Sequence, residues 1–345
     1  MIDTRPSPSA PIGQSSPRRR VLVLGATGTI GRATVRALVE QGHEVVCFVR
    51  PKAGLGRKPS TEASQQLSEN AQLRFGDVTS LRSLVEDGFC KERFDALVSC
   101  LASRTGVPRD AWAIDYQAHV NALAAAKGAG VSQVVLLSAI CVQKPLLGFQ
   151  HAKLAFEKEL VESGLAYSIV RPTAFFKSLS GQIDRVKNGK PFLVFGDGTA
   201  TACKPISDAD LGQYIATCLD NAERQNRILP IGGPGPAITP KEQGELLFAL
   251  TGREPRFKRV PVALLDVIVW VLGTIGRLSP TIADKAELAR IGRYYATESM
   301  LVLDPKTDRY DENATPSFGT DTLYDHYARV ISGEASVERG DHAVF

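Results

Sequence analysis

The sequence VLVLGATGTIG at residues 21–31 joins a short apolar run to three glycines that are spaced three apart. The apolar residues at its start are typical of a strand buried on both faces of a parallel sheet. We expect Gly25 to form a tight turn, Gly28 to let a ligand approach the backbone, and Gly31 to let a helix pack against the strand.

A helix is predicted directly after this turn, because RATVRALVEQG at residues 32–42 has helical periodicity. The order of strand, glycine turn and helix is that of a dinucleotide-binding unit, in which the N–H groups at the helix start attract a diphosphate. A plain strand–turn–helix with incidental glycines is the alternative. The cofactor-binding residues predicted here are Gly25, Thr27, Gly28, Thr29, Ile30 and Gly31.

Strands and helices alternate along the chain as far as Pro172. Further strands are predicted at 43–49, 73–78, 95–100, 133–138 and 166–171, with helices at 113–130 and 151–163. This alternation predicts an α/β fold, a Rossmann-type doubly wound parallel sheet with a smaller C-terminal substrate lobe.

Four parts of the chain are expected from this pattern. They are a disordered lead-in over 1–19, an NAD(P)-binding Rossmann domain over 20–172, a substrate-binding lobe over 173–331 that partly completes the sheet, and a flexible tail over 332–345. Within the lobe, a strand is expected over 227–232 and a helix over 239–250. The most apolar segment, 262–275, is interpreted as a core helix, with a membrane-facing or substrate-covering helix as the alternative.

The composition excludes several classes of function. The chain has 345 residues and a net charge of +4, and no long basic run is interleaved with aromatics, so nucleic acid is not expected as the main partner. Its six cysteines lack CxxC or Cys/His spacing, which predicts free thiols in a reducing compartment and no metal site. Because no apolar secretory signal or spanning segment is evident, a cytoplasmic protein is predicted.

The residues after the second predicted strand are basic, beginning with Arg50. An acidic residue there would bind the ribose 2′-OH of NAD, whereas a basic residue suits the 2′-phosphate of NADP. We therefore predict that Arg50 selects NADPH, with an exposed strand-end arginine as the alternative. The polar stretch 51–70 is interpreted as a flap over the adenosine or as a disordered loop.

Asp77 and Val78 close the third predicted strand. In this fold an aspartate at that position often lies beside the adenine ring, so both residues are assigned to the cofactor site. An aspartate that forms the following turn is the alternative.

Three positions around the fifth predicted strand resemble the active site of the short-chain dehydrogenase/reductase superfamily. In that superfamily a serine closes the strand, and a tyrosine followed four residues later by a lysine opens the next helix. Here Ser138 and Lys153 match the serine and the lysine, but Phe149 replaces the tyrosine and has no proton to donate to a carbonyl oxygen. The resemblance therefore implies cofactor contacts for Ser138 and Lys153, and it argues against ordinary carbonyl reduction.

Reduction of a carbon–carbon double bond makes a different demand on such a site. Negative charge develops on carbon, where conjugation can spread it, and a carbon must still receive a proton. Lys153 is the predicted catalytic residue, which would supply that proton directly or through water. Holding the nicotinamide ribose hydroxyls is the alternative role for Lys153, and a simple strand-end contact with the cofactor is the alternative for Ser138.

Four longer motifs extend along the chain: SCLASRTG (99–106), HAKLAFEKEL (151–160), SIVRPTAFFKSLSGQ (168–182) and KPISDADLG (204–212). With the glycine turn, Arg50 and Lys153, the chain resembles the atypical short-chain reductases, the group of NmrA-like and isoflavone-reductase-like proteins. Within that group the motifs are similar to those of the divinyl chlorophyllide 8-vinyl reductases, over most of the chain. The resemblance implies NADPH as cofactor and reduction of the C8 vinyl group of a divinyl (proto)chlorophyllide to ethyl, in (bacterio)chlorophyll biosynthesis.

A flat, apolar tetrapyrrole with a carboxylate edge and a central magnesium would then be the substrate. The resemblance implies Phe175 and Phe176 as an aromatic wall and Lys177 as a carboxylate contact, although both phenylalanines could equally be core residues. His151 would approach the magnesium, with a surface or capping position as the alternative. Because the substrate is lipophilic, we also predict a loose association with photosynthetic membranes through residues 262–275.

Two rival functions stay open. One is a non-catalytic NADP(H)-binding, NmrA-like sensor or assembly factor, and the other is an isoflavone-reductase-like enzyme acting on a phenolic substrate. Lys153 and the apolar lobe favour an enzyme, because a pure sensor needs neither.

Overall fold

The computed structural model describes residues 17–50, 67, 69 and 71–335, so most of the predicted lead-in, of the segment 51–70 and of the tail lies outside the described residues. The strands are β1 (Arg20–Leu24), β2 (Glu44–Val49), β3 (Gln72–Phe75), β4 (Ala96–Ser99), β5 (Gln133–Leu137), β6 (Ala166–Pro172), β7 (Phe192–Phe195), β8 (Arg227–Ile231), β9 (Phe257–Val260), β10 (Val302–Asp304) and β11 (Arg309–Asp311).

Seven of these strands form one sheet in the order β3-β2-β1-β4-β5-β6-β8, and every neighbouring pair is parallel. The strand order reverses between β1 and β4. At such a switch point a doubly wound sheet opens a crevice beyond the carboxyl ends of its strands, where nucleotides bind. The predicted Rossmann-type α/β fold is confirmed.

Helices cover both faces of the sheet and build most of the C-terminal part. They are α1 (Thr29–Glu40), α2 (Leu81–Ser83, continued by π-helical Leu84–Phe89), α3 (Pro108–Ala111, π-helical Trp112–Ala118 and His119–Gly128 in succession), α4 (Gly148–Val161), α5 (Phe176–Leu179), α6 (Ile183–Lys187), α7 (Asp208–Thr217), α8 (Pro240–Leu250), α9 (Val262–Ile275), α10 (Pro280–Thr297) and α11 (Leu323–Ser332). Short 3₁₀ turns lie at Ile140–Gln143, Ser180–Gln182, Ala222–Arg224 and Gly276–Leu278.

The core lies on both faces of the sheet, as the apolar run in β1 predicts. Val21 and Val23 belong to the cluster that contains α1 and α7 residues. Leu22 and Leu24 belong to the opposite cluster, which contains α3 and α4 residues. All four side chains have no exposed surface. Because both faces of β1 are buried, every residue from Val21 to Leu24 is apolar.

The lobe after Pro172 completes the sheet, because β8 pairs in parallel with β6 and places Leu229 opposite Val170. The rest of the lobe has a core of its own, which includes Phe176, Phe248 and Tyr327. The predicted helix over 239–250 is confirmed as α8. Its start is fixed by a capping box, in which the carboxylate of Glu242 accepts the N–H of Thr239 at 2.7 Å.

Several predicted boundaries are wrong by a few residues, and two of them have a clear physical reason. The third strand ends at Phe75 rather than Val78, because the chain turns at Asp77, whose carbonyl accepts the N–H of Ser80 at 3.1 Å. The helix predicted over 113–130 begins earlier, at Pro108, since proline suits the first turn of a helix.

The interpretation of residues 262–275 as a core helix is wrong. The segment is helical, as α9, but none of its side chains is buried and Trp270 is 71% exposed. Helix α10 packs against one side of α9, where Arg293 and Asp266 form an ion pair. No helix within the described ranges is both long and apolar enough to cross a membrane.

Candidate active site

The turn between β1 and α1 requires glycine for its own packing. Gly25 has a φ of +73°, and a Cβ at this position would lie 2.6 Å from the carbonyl carbon of Cys100. A Cβ on Gly31 would lie 2.1 Å from the carbonyl oxygen of Gly25. The two glycines therefore let α1 begin directly against the ends of β1 and β4, as the glycine spacing predicts.

The first turn of α1 offers backbone N–H groups to an anion. Gly28 is the N-terminal cap residue, with φ −72° and ψ 165°, and it has no side chain to accept hydrogen bonds from these groups. The guanidinium of Arg32 also lies at this end of the helix, where it donates to the carbonyl oxygen of Thr27 at 3.1 Å. An exposed helix start with a cation beside it fits the diphosphate of a dinucleotide.

The predicted adenosine contacts lie at the ends of β2 and β3. Arg50 is exposed and directly follows β2. The carboxylate of Asp77 accepts the N–H of Thr79 at 2.9 Å and its hydroxyl at 2.7 Å, which is the turn-forming alternative named above. The side chain of Val78 is buried in the core, so only its backbone is left to contact a nucleotide.

Lys153 forms a mostly buried ion pair with Asp115. The ammonium of Lys153, on α4, lies 2.9 Å from the Oδ1 atom of Asp115, on the π-helical part of α3. The N–H of Ser103 also donates to this oxygen, at 3.2 Å. Burial alone would raise the pKa of Asp115, but the charge of Lys153 and the hydrogen bonds from Ser103 and Lys153 lower it below its ordinary value. Asp115 is therefore a carboxylate that holds Lys153 in one position.

The second carboxylate oxygen of Asp115 lacks a partner. Oδ2 is buried and accepts no hydrogen bond from any residue that the structure describes. Asp115 and Lys153 line one small cavity together with Ser138 and the apolar residues Leu136, Leu137 and Phe156. The space between these residues is too small for a water molecule, so a hydroxyl donor from a ligand reaches this oxygen only when the lining side chains move apart.

His119 is a buried histidine that lies four residues after Asp115. One ring nitrogen, Nδ1, lies 2.9 Å from the carbonyl oxygen of Ile114, and the other, Nε2, lies 2.8 Å from the hydroxyl of Ser99. Burial, together with the charge of Lys153, lowers the pKa of His119 to about 4. The ring is therefore neutral at pH 7, with Nδ1 donating to the carbonyl and Nε2 accepting from Ser99.

Ser138 belongs to a second buried network. Its hydroxyl donates to the Oε1 atom of Glu157 at 2.5 Å, and the guanidinium of Arg171 pairs with the same carboxylate. Glu157 is 3% exposed and Ser138 is 5% exposed. The Ser138 hydroxyl therefore uses its proton in the hydrogen bond to Glu157. Only the hydroxyl oxygen of Ser138 can still accept a hydrogen bond from a cofactor.

Phe149 occupies the tyrosine position of the superfamily and lies in an apolar cluster with Ile291 and Tyr294 of α10. His151, two residues further along α4, is exposed. Residues of the lobe therefore cover the place where a catalytic tyrosine would be expected.

Replacing Phe149 by tyrosine should not raise activity. The new hydroxyl would enter an apolar cluster, which costs free energy unless it finds a hydrogen-bond partner. We expect Phe149→Tyr to leave turnover unchanged or lower, as measured by initial rates with NADPH and substrate. A large gain in turnover would show that the site lacks a proton donor that tyrosine restores.

The three predicted substrate contacts lie at the start of the lobe. Phe176 is 3% exposed and lies in the core of the lobe, with its ring 5.3 Å from that of His326. Phe175 is partly buried against the main core. Lys177 lies at the β1–α1 turn, where its ammonium donates to the hydroxyl of Thr29 at 2.8 Å. Because Phe176 is already covered by protein, it does not present a free face to a substrate.

Asp115, His119 and Glu157 are site residues that the motifs in the sequence did not predict. Their spacing offers a signal, because Glu157 follows Lys153 by four residues and His119 follows Asp115 by four, which places each pair on one face of its helix. An acidic residue and a histidine within the Ala-rich packing face of α3 are also unusual, since a packing face buries its side chains.

Comparisons with known proteins identify the family of this chain. A family model described as NAD(P)H-binding matches residues 25–222. The chloroplastic divinyl chlorophyllide a 8-vinyl-reductase of Oryza sativa subsp. indica is 52% identical over 332 residues, which cover 94% of this chain and 82% of the rice protein. The protein of the same name from Arabidopsis thaliana is 50% identical, over 93% of this chain and 79% of its own length. This chain belongs to the divinyl chlorophyllide a 8-vinyl-reductase family.

More distant relatives have another role by name. A photosystem II assembly factor of Cyanophora paradoxa is 27% identical over 256 residues, or 72% of this chain. Since the identity to the vinyl reductases is higher and extends over more of the chain, the sequence groups with the reductases rather than with the assembly factors.

Solved structures show that the vinyl-reductase family shares its fold with other reductases. The NADPH-dependent quinone oxidoreductase QOR2 of Escherichia coli, in complex with NADPH, superposes with a TM-score of 0.64 at 19% identity over 90% of this chain and 99% of its own. An isoflavone reductase gives a TM-score of 0.63 at 18% identity, over 91% and 99%. At these identities the likeness concerns the fold alone.

Proposed function

We propose that this chain reduces the C8 vinyl group of a divinyl (proto)chlorophyllide to ethyl with NADPH, in (bacterio)chlorophyll biosynthesis. The observation that carries the proposal is the 52% identity, over 94% of the chain, to a reductase named for this reaction. Phe149 in place of the tyrosine supports it, because a double bond between carbons needs no proton donor for a carbonyl oxygen.

The reaction adds one hydride and one proton across the vinyl group, and NADPH becomes NADP⁺. NADPH, when bound, supplies the hydride from its nicotinamide ring. The glycine turn and the N–H groups of α1 would hold its diphosphate, and Ser138 and Lys153, after β5, would hold the nicotinamide ribose. The conjugated macrocycle of the substrate spreads the charge that develops on carbon.

Lys153 orients the cofactor in this proposal. Its ammonium has three donors, of which one is used by Asp115, so the others are available to the nicotinamide ribose hydroxyls. The unpaired Oδ2 of Asp115 is a buried acceptor beside this ammonium, and a cofactor hydroxyl would reach it once the lining side chains move apart. Loss of a proton from Lys153 would leave Asp115 buried without its cation, which is costly. The ion pair therefore favours the anchoring role over net proton release.

The proposal is tested by the absorption spectrum of divinyl chlorophyllide incubated with the protein and NADPH. We expect a blue shift of the Soret band, because loss of the vinyl group shortens the conjugated system. Binding of NADPH without any spectral change would instead support the sensor or assembly factor.

We propose that Arg50 binds the 2′-phosphate of NADPH. Its exposed position directly after β2 supports this role. Arg50→Asp should raise the Michaelis constant for NADPH by roughly 10- to 100-fold, since a charged phosphate contact contributes about 1.5–3 kcal/mol. The constant for NADH should change much less. Equal responses to the two cofactors would remove Arg50 from this role.

We propose that the protein is cytoplasmic and contacts the surface of photosynthetic membranes through α9. Exposed apolar side chains such as Trp270 and Val267 support this, as do Lys258 and Arg259, which are exposed in β9 just before the helix. Trp270→Ser should lower the fraction that sediments with anionic vesicles. Recovery of the protein only after detergent extraction would contradict a loose, peripheral contact.

A further inference from the structure

Lys177 connects the start of the lobe to the nucleotide turn. It lies on α5, just after β6, and its partly buried ammonium is 2.8 Å from the hydroxyl of Thr29, the first residue of α1. The two residues are 148 positions apart in sequence. The contact therefore forms only when the lobe is folded against the nucleotide turn.

Backbone pairing holds this part of the lobe in place. The N–H of Ile206 donates to the carbonyl oxygen of Ala174 at 2.9 Å, and the N–H of Phe176 donates to that of Ile206 at 3.2 Å. This pairing places the segment before α7 beside the segment that carries Lys177. Because Phe176 is anchored in the lobe core, the position of Lys177 is set by buried structure.

A small cluster of charges surrounds the start of α1. Asp208, the first residue of α7, lies close enough to Lys177 and Arg32 for both cations to act on it: burial raises its pKa, and the two positive charges partly offset that rise. The Oδ1 atom of Asp208 is buried and has no hydrogen-bond partner among the described residues. Helices α7 and α1 are in close contact here, since a Cβ on Gly212 would lie 2.6 Å from the carbonyl carbon of Ala33.

The chemistry of this cluster suits a diphosphate. Its three charged side chains, Lys177, Arg32 and Asp208, sum to one positive charge, and the helix start adds N–H donors and the positive end of the helix dipole. A lysine ammonium is a compact charge with three donors and binds phosphate well. A carboxylate edge of a substrate, by contrast, would have to reach into the turn that carries the nucleotide.

We propose that Lys177 is a cofactor-binding residue, whose ammonium contacts the diphosphate of NADPH across the β1–α1 turn. The C-terminal lobe then supplies part of the cofactor site.

The test is the dissociation constant of NADPH, measured by fluorescence in the absence of substrate. We expect Lys177→Met to weaken binding by roughly 10- to 100-fold, the range for loss of a charged phosphate contact, and Lys177→Arg to retain most of the affinity. The matched control is Lys190→Met, an exposed lysine in the same lobe, which should bind NADPH as the unaltered protein does.

Nucleotide fragments identify the group that Lys177 contacts. The unaltered protein should bind ADP more tightly than AMP, and Lys177→Met should lose most of that preference. Unchanged NADPH binding in Lys177→Met, with a higher Michaelis constant for the tetrapyrrole alone, would overturn the proposal and make Lys177 a substrate contact.

A measurement on the unaltered protein covers the case in which Lys177→Met does not fold. NADPH should slow hydrogen exchange of the backbone amides in residues 176–187, because the diphosphate fixes the segment that carries Lys177. Exchange in this segment that does not respond to NADPH, while the β1–α1 turn is protected, would overturn the proposal.

Discussion

Lys153→Met is expected to lower turnover at saturating NADPH by about 10²-fold, because a cofactor that has lost its anchor is misplaced relative to the substrate. The reason is the position of Lys153, which lines the same cavity as Ser138 and is held by Asp115. Binding of NADPH should weaken as well, because the ribose loses its anchor. Initial rates at saturating NADPH and a separate binding titration distinguish the two effects.

A double variant separates this role from a structural one. Lys153→Met alone leaves Asp115 as a buried carboxylate without its cation, which destabilises the fold. Combining Lys153→Met with Asp115→Asn removes both charges and should restore most of the thermal stability. If the double variant also regains turnover, the loss in the single variant was structural and Lys153 does not act in the site.

Glu157→Ala is expected to lower the free energy of unfolding by about 3–5 kcal/mol, the range for breaking a buried ion pair by removing one partner. Glu157 binds both the hydroxyl of Ser138 and the guanidinium of Arg171, and its side chain is 4% exposed. Without it, Arg171 keeps its charge in a mostly buried position. Chemical denaturation measures the change.

The matched control is Glu162→Ala, in the residue just after α4. Glu162 is 64% exposed, and its carboxylate forms a long ion pair with Lys158, at 3.9 Å. Such a surface pair contributes about 0–1 kcal/mol, so little change is expected. Similar losses in the two variants would mean that the buried network does not stabilise the fold.

The nucleotide-binding half of the fold could be predicted because its signals are local. A strand buried on both faces must be apolar throughout, and the turn after it needs glycine at positions that backbone atoms would otherwise block, as at Gly25 and Gly31. The predicted strand at 227–232 also formed, although its place beside β6 depends on the path of the whole lobe.

The contacts around Lys153 could not be predicted in the same way. Lys153 and Asp115 are 38 residues apart, and they meet only because α3 and α4 pack on the same face of the sheet. Residues 262–275 show a second limit. Their hydropathy predicts a helix that avoids water, but it does not indicate what covers the helix, and the described part of the chain leaves most of it exposed.

Transfer of a labelled hydride tests the proposed reaction most directly. The protein is incubated with divinyl chlorophyllide and NADPH carrying deuterium at the transferable position of the nicotinamide, and the pigment is analysed by mass spectrometry and NMR. We expect an ethyl group at C8 that contains one deuterium from NADPH, with its second new hydrogen coming from solvent. A pigment that keeps its vinyl group, or an ethyl group without label from the cofactor, would contradict the proposed function.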